Sequence, residues 1–524
     1  MKRIMHRNNT ISTILVGLML SPTAIKLSNI YVPRLVRGIQ RSLASTGFCG
    51  QAAERRPVFL DIILLNLMAV MLSLLASCTV GPNYAPPIIK APAKWSTSLG
   101  STKVVTNKSS PQNTWWKSFH DPFLNQLIAM SVANNLDLKI SKTRILQARA
   151  NQLNAFAKLF PDIGANVVAA RIQPGFITLN REFGLVQGDF DASWELDLFG
   201  GKRRKLEAER DFVAVNIEEK NDVLISLVAE VASNYIEVRK NQRLMQVTQK
   251  NIQAANSNFM MTRSLQRAGI SNELDVTQAR SQYQNFESEI SLQQIALIAA
   301  KNRLTTLLGL FPGSLDKLLA THSPVIPGFD EPVLLATPAD VIRQRPDIRK
   351  AERNLAGQTA LIGEAVAQLF PDVSLGGFYG KQSTTLIPGS EIWGIVPRVY
   401  IPLLNFGRVQ SQINLAKAHE CEAFFQYKKA ILSALEDVEN QISNYVNIKQ
   451  RKQFLRQSTS SNQLALHFSL ERYKKGLSAF NNVTQSESLL FQAQSAEIIA
   501  ASEQSKRVIA IYKSLGLHPC NHCH

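Results

Sequence analysis

Asp189-Phe-Asp-Ala-Ser-Trp-Glu-Leu-Asp-Leu198 leads through Phe199-Gly200 into a stretch, Lys202 to Ala268, that contains neither proline nor glycine. The first ten residues alternate strictly. Phe190, Ala192, Trp194, Leu196 and Leu198 fall on one face; Asp189, Asp191, Ser193, Glu195 and Asp197 fall on the other. Strand side chains point to opposite faces with a period of two. A half-buried soluble strand seldom carries four carboxylates on its polar face. Ten residues of this pattern have the length and alternation of a transmembrane β-strand with lipid on one side and water on the other. The polar set, Asp189, Asp191, Glu195 and Asp197, is therefore expected to line a lumen. The 67 residues from Lys202 to Ala268 would reach about 100 Å as one helix, against a mean helix of about 11–12 residues.

The same design occurs twice. Phe160-Pro-Asp-Ile163 recurs as Phe370-Pro-Asp-Val373, 210 positions later, and Phe199-Gly200 recurs as Phe406-Gly407, 207 later. Gly269 and Gly476, and Leu308-Gly-Leu310 and Leu515-Gly-Leu517, keep the offset of 207. A constant offset over this distance marks a duplicated unit with a small early indel. The second rod runs from Arg408 to Lys475, again without proline or glycine. Leu224, Val228, Val231, Tyr235 and Val238 step by four and three, and Ile431, Leu435, Val438, Ile442 and Tyr445 repeat the stripe at +207. That spacing predicts coiled-coil packing. Gly269 and Gly476 stand where helix C-caps belong. Return helices are expected from about Glu273 to Leu308 and from Asn481 to Leu515. Further strands are expected at Ile163–Arg171, Val373–Gly380 and Trp393–Leu403, the last interrupted by Pro397. Four strands do not close a barrel, which needs about eight, and sheet edges are not tolerated in lipid. The pattern therefore demands an oligomer, and three copies give twelve strands.

The formal net charge is +18. Residues 1–77 carry nine Lys/Arg and two Asp/Glu, so +7 of it lies there. The rest is spread along helical faces without a dense basic block, which argues against a nucleic-acid partner. Arg55-Arg56 precede an apolar run from Val58 to Leu75 that ends Leu75-Ala-Ser-Cys78. A positive region, an apolar region and small residues before a cut describe a secretory signal. Asp61 and Asn66 make the run a poor membrane span. Residues 1–77 are long for such a signal, which leaves a later start, near Met68 or just before Arg55, as an expectation. At the other end, residues 518–524 hold His518, Cys520, Cys523 and His524, which could bind zinc or copper; incidental ligands at a frayed terminus are the alternative. No nucleotide-binding glycine loop, catalytic triad context or metal-ligand helix motif is present, so an enzyme is not expected.

Cys78-Thr-Val-Gly-Pro-Asn-Tyr-Ala-Pro86, Ser193-Trp-Glu-Leu-Asp-Leu-Phe-Gly200, Arg345-Pro-Asp-Ile-Arg349 and Pro402-Leu-Leu-Asn-Phe-Gly-Arg408 resemble the markers of TolC/OprM-type outer-membrane efflux lipoproteins, the NodT-like outer membrane factors. The resemblance covers about residues 78–517. It implies a mainly α protein with a membrane β-barrel, built from a duplicated unit of two β-strands and a very long helical hairpin (78–310 and 311–517). It further implies a homotrimer with a 12-stranded barrel and a periplasmic α-helical tunnel. Cys78 would be the lipobox cysteine, carrying a diacylglyceryl group and an N-acyl chain and seated in outer-membrane lipid. No other cofactor is implied. Partners would be a periplasmic adaptor (membrane fusion protein) and an inner-membrane pump of the resistance-nodulation-division (RND) type; the cargo would be drugs, metals or other small molecules.

The implied gate lies at the hairpin tips. Asp275 and Tyr473 fit the family pattern. Asn482 and Gln485 stand where the family has carboxylates, which would form a cation-selective ring. A gate held by neutral hydrogen bonds plus Asp275, with weaker cation selectivity, is one reading; plain surface amides, with Glu487 or other groups setting selectivity, is the other. The turns Gly269-Ile270-Ser271 and Gly476-Leu477-Ser478 are expected to meet the adaptor. A type I protein-secretion duct and a lipid-anchored envelope scaffold without transport are the alternative functions; the scaffold leaves the alternating strands unexplained.

Overall fold

The computed structural model describes residues 79–89, 91–96, 104–106, 114–173, 182–320, 323–329, 331–385 and 389–517, within the unit Leu75–His524. A short strand β1 (Val104–Thr106) and a 3-10 turn (Trp115–Phe119) precede α1 (Pro122–Asn134) and α2 (Leu136–Ala157). Then come β2 (Asp162–Ile172), β3 (Phe183–Leu196), the rod α3 (Gly201–Arg267) and its return α4 (Glu273–Leu307). A connecting stretch holds α5 (Asp316–Ala320), β4 (Val333–Leu335) and α6 (Pro338–Gln344). The unit then repeats as α7 (Pro346–Ala367), β5 (Asp372–Thr384), β6 (Ser390–Tyr400), the rod α8 (Arg408–Lys474) and its return α9 (Asn481–Ser514).

The two rods are 67 residues each and do not lie side by side. Along the first part of α3, α2 packs on one flank and α7 on the other, and α7 also packs on α8. Ion pairs hold α7 to α3: Arg349–Glu218 at 2.6 Å, Lys350–Glu219 at 3.2 Å and Arg353–Asp211 at 3.5 Å. Further along, α9 takes the place of α7, as Lys506–Glu237 (2.5 Å) and Asn251–Gln494 (3.1 Å) record. The expected stripes are buried, but under a middle belt. Val228, Val231, Tyr235 and Val238 share one core with Trp115, Phe119, Phe123 and Leu124, with Val438, Ile442 and Tyr445, and with Val508 and Tyr512. Burial of this apolar surface, not helix propensity, stabilises rods of this length. Arg345 closes the belt: it grips Asp347 at 3.0 and 2.6 Å and donates to the Ser514 carbonyl at 2.8 Å, tying the end of α9 to the start of α7.

The strands form one antiparallel sheet in the order β2-β3-β5-β6; β1 and β4 pair separately, in parallel. Two expectations need correction. The fourth strand is Ser390–Tyr400, not Trp393–Leu403. Pro397 sits inside it, opposite Leu375; within one chain β6 is an edge strand, where proline is tolerated because it interrupts no ladder on both sides. The strand Asp189–Leu198 begins earlier, at Phe183, and ends at Leu196. Asp197 is therefore not on the strand. Its carboxylate accepts from the backbone N–H groups of Lys202 and Arg203, both at 3.0 Å. The first turn of α3 has orphan donors and a positive dipole end, and Asp197 satisfies both.

Each rod ends in a left-handed glycine. At Gly269 (φ 70°) the Ile270 N–H reaches the Leu265 carbonyl and the Gly269 N–H that of Gln266, both at 2.9 Å. Gly476 (φ 69°) repeats this with Leu477 to Arg472 and Gly476 to Tyr473. These are Schellman caps, and they reverse the chain into the return helices. A Cβ at either position meets nothing within 4 Å, so alanine there costs only backbone strain. Gly269→Ala and Gly476→Ala are each expected to lower stability by about 1 kcal/mol, read as the shift in the thermal or denaturant midpoint, and to leave the fold intact by circular dichroism.

Candidate functional site

The pairing register sorts the sheet into two faces. Ile163, Val167, Val186, Phe190, Tyr379, Trp393, Ile395 and Val399 share one face, and all are exposed, Val167 at 82% and Trp393 at 70%. An exposed apolar face of this extent has no place in water; with aromatic residues among aliphatic ones it has the make-up of a lipid-facing surface. The opposite face carries Asn166, Asp189, Asp191, Gln187, Ser374, Gln382 and Arg398, mixed with Val168, Phe378, Val396 and Tyr400. There Asn166 donates to Asp191 at 2.8 Å and Gln187 to Asp189 at 3.0 Å. Glu195, exposed at the foot of this face, pairs with Lys202 at 2.8 Å. Among the described residues no helix is long and apolar enough to cross a membrane.

At the far end of the rods the structure brings Asp275 and Tyr473 together. Ser271, read from sequence only as a surface tip residue, stands between them. Its hydroxyl lies 3.0 Å from Asp275 Oδ2 and 3.1 Å from the Tyr473 hydroxyl, and Tyr473 donates to the same Asp275 oxygen at 3.4 Å. Asn272 caps α4 by accepting the Asp275 N–H at 2.8 Å, which fixes the carboxylate beside the turn. Tyr473 is buried against Phe480, 5.0 Å between ring centroids, in a cluster with Ala279 and Val483. This latch ties the turn of the first hairpin to the rod of the second. Sequence signals for Ser271 existed: it lies four residues before Asp275, one helical turn away.

The second turn is built differently. At +207, Ser271 becomes Ser478 and Asp275 becomes Asn482. The Ser478 hydroxyl is buried and has no hydrogen-bond partner among the described residues. Asn482 and Gln485 are not part of any latch: Asn482 is exposed and Gln485 lies beside it on the same helix. Ile270 and Leu477 project from the two turns, both largely exposed. Cys78, His518, Cys520, Cys523 and His524 lie outside the described residues. The chain immediately after Cys78 is held firmly: the Val80 N–H donates to the Phe199 carbonyl at 3.1 Å, and buried Arg204 donates to the Val80 carbonyl (3.1 Å) and to Asn83 (2.6 Å).

One buried carboxyl lies above the latch. Glu487 on α9 is 5% exposed and is met by the Asn258 side chain from α3. Burial pushes it up to about 7, against the Asn258 hydrogen bond, which lowers it.

These features define an integral membrane channel component, a β-hairpin sheet for lipid joined to long helical hairpins with a latched tip. The family model "Outer membrane efflux protein" matches residues 127–310 and 337–517. Nodulation protein T of Rhizobium leguminosarum bv. trifolii is 30% identical over 457 residues, 84% of this chain and 95% of that protein. The toluene efflux pump outer membrane protein TtgC of Pseudomonas putida is 27% identical over 462 residues, covering 86% and 94%. The solved outer-membrane channel OprN superposes with a TM-score of 0.77 at 31% identity, covering 84% of this chain and 99% of that one. The chain belongs to the outer membrane efflux protein family. It is an outer-membrane exit duct of an efflux system, extending into the periplasm.

Glu487 makes stability depend on pH. Its folded-state pKa lies above the ordinary glutamate value, so the folded chain holds a proton that the unfolded chain releases. That contribution is full in acid and is lost as pH rises through about 7. Wild type is expected to lose stability between roughly pH 4.5 and 7 relative to Glu487→Gln, whose curve is flat there. Parallel curves in denaturant titrations across this window would remove Glu487 as the cause.

Proposed function

We propose that three copies close their sheets into one 12-stranded barrel in the outer membrane, and that the helical hairpins continue inward as a tunnel. The observation that carries this reading is the sheet itself: β2 and β6 are unpaired edges, and the face beside them is apolar and exposed. Unpaired backbone groups in hydrocarbon cost several kcal/mol each, so such a sheet must close. Asp189, Asp191 and Glu195 then line the lumen. The two repeats, 78–310 and 311–517, each supply one strand hairpin and one helical hairpin. Residues 1–77 act as a leader, and Cys78 carries the diacylglyceryl and N-acyl groups. The anchoring of Thr79 and Val80 at the foot of the sheet supports this, since a lipid there sits at membrane level.

The tips Gly269-Ile270-Ser271 and Gly476-Leu477-Ser478 meet the helical hairpins of a periplasmic adaptor, which couples the duct to an inner-membrane RND-type pump. The Asp275–Ser271–Tyr473 latch holds the resting tunnel closed. Asn482 and Gln485 leave the entrance with amides and only weak cation preference. Cargo is drugs, metals or other small molecules, selected by the pump. Relatives of similar likeness carry names as different as toluene efflux and nodulation, which supports a permissive duct.

The test is planar-bilayer conductance of the purified protein, with its mass measured on the same sample. A trimer with discrete, mostly closed pores is expected. Asp275→Asn and Tyr473→Phe are expected to raise the open fraction; Asn482→Asp with Gln485→Asp is expected to shift the reversal potential towards cation selectivity. An unchanged reversal potential overturns the entrance assignment. A monomer without conductance overturns the barrel.

A further inference from the structure

The duplication carries more than a repeated pattern, because the seam between the two repeats within one chain is itself observed. Partners on β2 and β3 have residue numbers adding to 355, as for Asp162 and Ser193. Partners on β5 and β6 add to 772, as for Asp372 and Tyr400. The difference, 417, is the two sequence offsets, 210 and 207, taken together. The two hairpins therefore share one register. The helices keep the same offsets: α2 and α7 are both 22 residues, 210 apart at each end, and α3 and α8 are both 67 residues, 207 apart at each end.

Within the chain, β3 of the first repeat pairs with β5 of the second, and partners add to 569, from Leu185 with Thr384 to Leu196 with Val373. Just below this ladder the register continues into side chains. Phe199 stacks on Phe370, 4.6 Å between centroids at an interplanar angle of 21°, and their numbers also add to 569. The equivalents of this seam are the two free edges, β6 and β2. Moving β3 forward by 207 and β5 back by 210 lowers the sum by three, to 566.

We propose that β6 of one copy pairs with β2 of the next in the register that adds to 566, and that Phe406 of one copy stacks on Phe160 of the next. This rests on the oligomeric reading above and specifies its seam. The pairs are Gly394 with Ile172, Val396 with Ala170, Arg398 with Val168 and Tyr400 with Asn166. Three independent observations agree. The sum is even, so the polar face of one copy continues the polar face of the next; an odd sum would set the polar face of one copy beside the apolar face of the next. Outward, Val399 then meets Val167, both exposed and apolar in the single chain. Phe406 is 93% exposed and Phe160 55%, whereas their equivalents Phe199 and Phe370 cover each other. The helices follow. The ion pairs Arg349–Glu218 and Lys350–Glu219 on the α3–α7 seam correspond to Lys139 with Phe425 and to Ile140 with Gln426 on α2 and α8, where Phe425 and Ile140 are exposed. The seam between copies thus has no opposite charges at these two positions, and its exposed Phe425 and Ile140 become covered.

The test uses full-length protein with Cys49, Cys421, Cys520 and Cys523 replaced by serine and Cys78 kept. Val168→Cys with Arg398→Cys is expected to link copies on oxidation. Asn166→Cys or Ala170→Cys with Arg398→Cys, displaced by two, is expected not to, because Cα atoms more than about 7 Å apart cannot be bridged. Phe160→Cys with Phe406→Cys, outside the ladder, gives a second reading should a strand variant misassemble. Mass is measured on each sample. Trimers linked only at the displaced pairs, or at none, overturn the register. Monomeric protein with no links overturns the oligomeric reading on which it rests.

Discussion

A β-sheet edge exposes a row of N–H and C=O groups, and hydrocarbon offers them nothing to bond. Everything distinctive here follows from that. The four strands present an apolar face fit for lipid and, within one chain, two edges that lipid would not accept. In the trimer proposed above, further copies of the chain supply the missing edge partners. The helices share the constraint: α2 and α8 flank the layer with Leu146, Leu153, Phe425 and Leu432 exposed. In that proposed closure the polar side chains of β3, with Asp189 and Asp191, would line a pore.

Duplication gives such a molecule an economical geometry, since one seam can be used both within and between chains. It also leaves room for the two copies to diverge where function requires it. The Schellman caps at Gly269 and Gly476 are alike to within the same hydrogen-bond pattern. Just beyond them the copies part: Ser271 and Asp275 engage Tyr473, while the buried Ser478 hydroxyl has no partner among the described residues and Asn482 faces solvent. The first turn is thus joined to the other rod by side-chain hydrogen bonds, whereas the second is held by the packing of Phe480 on Tyr473. Glu487, buried one level up among neutral partners, adds a group whose charge responds near neutrality.

The legible part of this protein was what depends on local periodicity. The absence of proline and glycine over 67 residues marked the rods to within a residue at each end, because a helix needs nothing else over that distance except a buried stripe. Alternation marked Asp189–Leu196 as strand, and the offset of 207 located the second copy of every rod and return helix. Asp197 was misassigned for a physical reason: alternation does not reveal where a strand stops, and a carboxylate just before a helix serves the helix start better than the lumen. β6 was placed three residues late at both ends, because its weak alternation did not mark where the strand starts or stops.

Tertiary structure alone decided what stands next to what. The stripes on the rods read as coiled-coil packing without naming a partner; α7 and then α9 lie between the rods, and the stripes meet the side chains of the middle belt. Ser271 became part of the latch only once α8 brought Tyr473 to it across 202 residues of chain. Glu487 was legible as a charge near the entrance, but its burial against Asn258 of α3 was not. Sequence by itself determined period, length and repetition, which are properties of neighbouring residues; partners, burial and register belong to distant ones and exist only after folding.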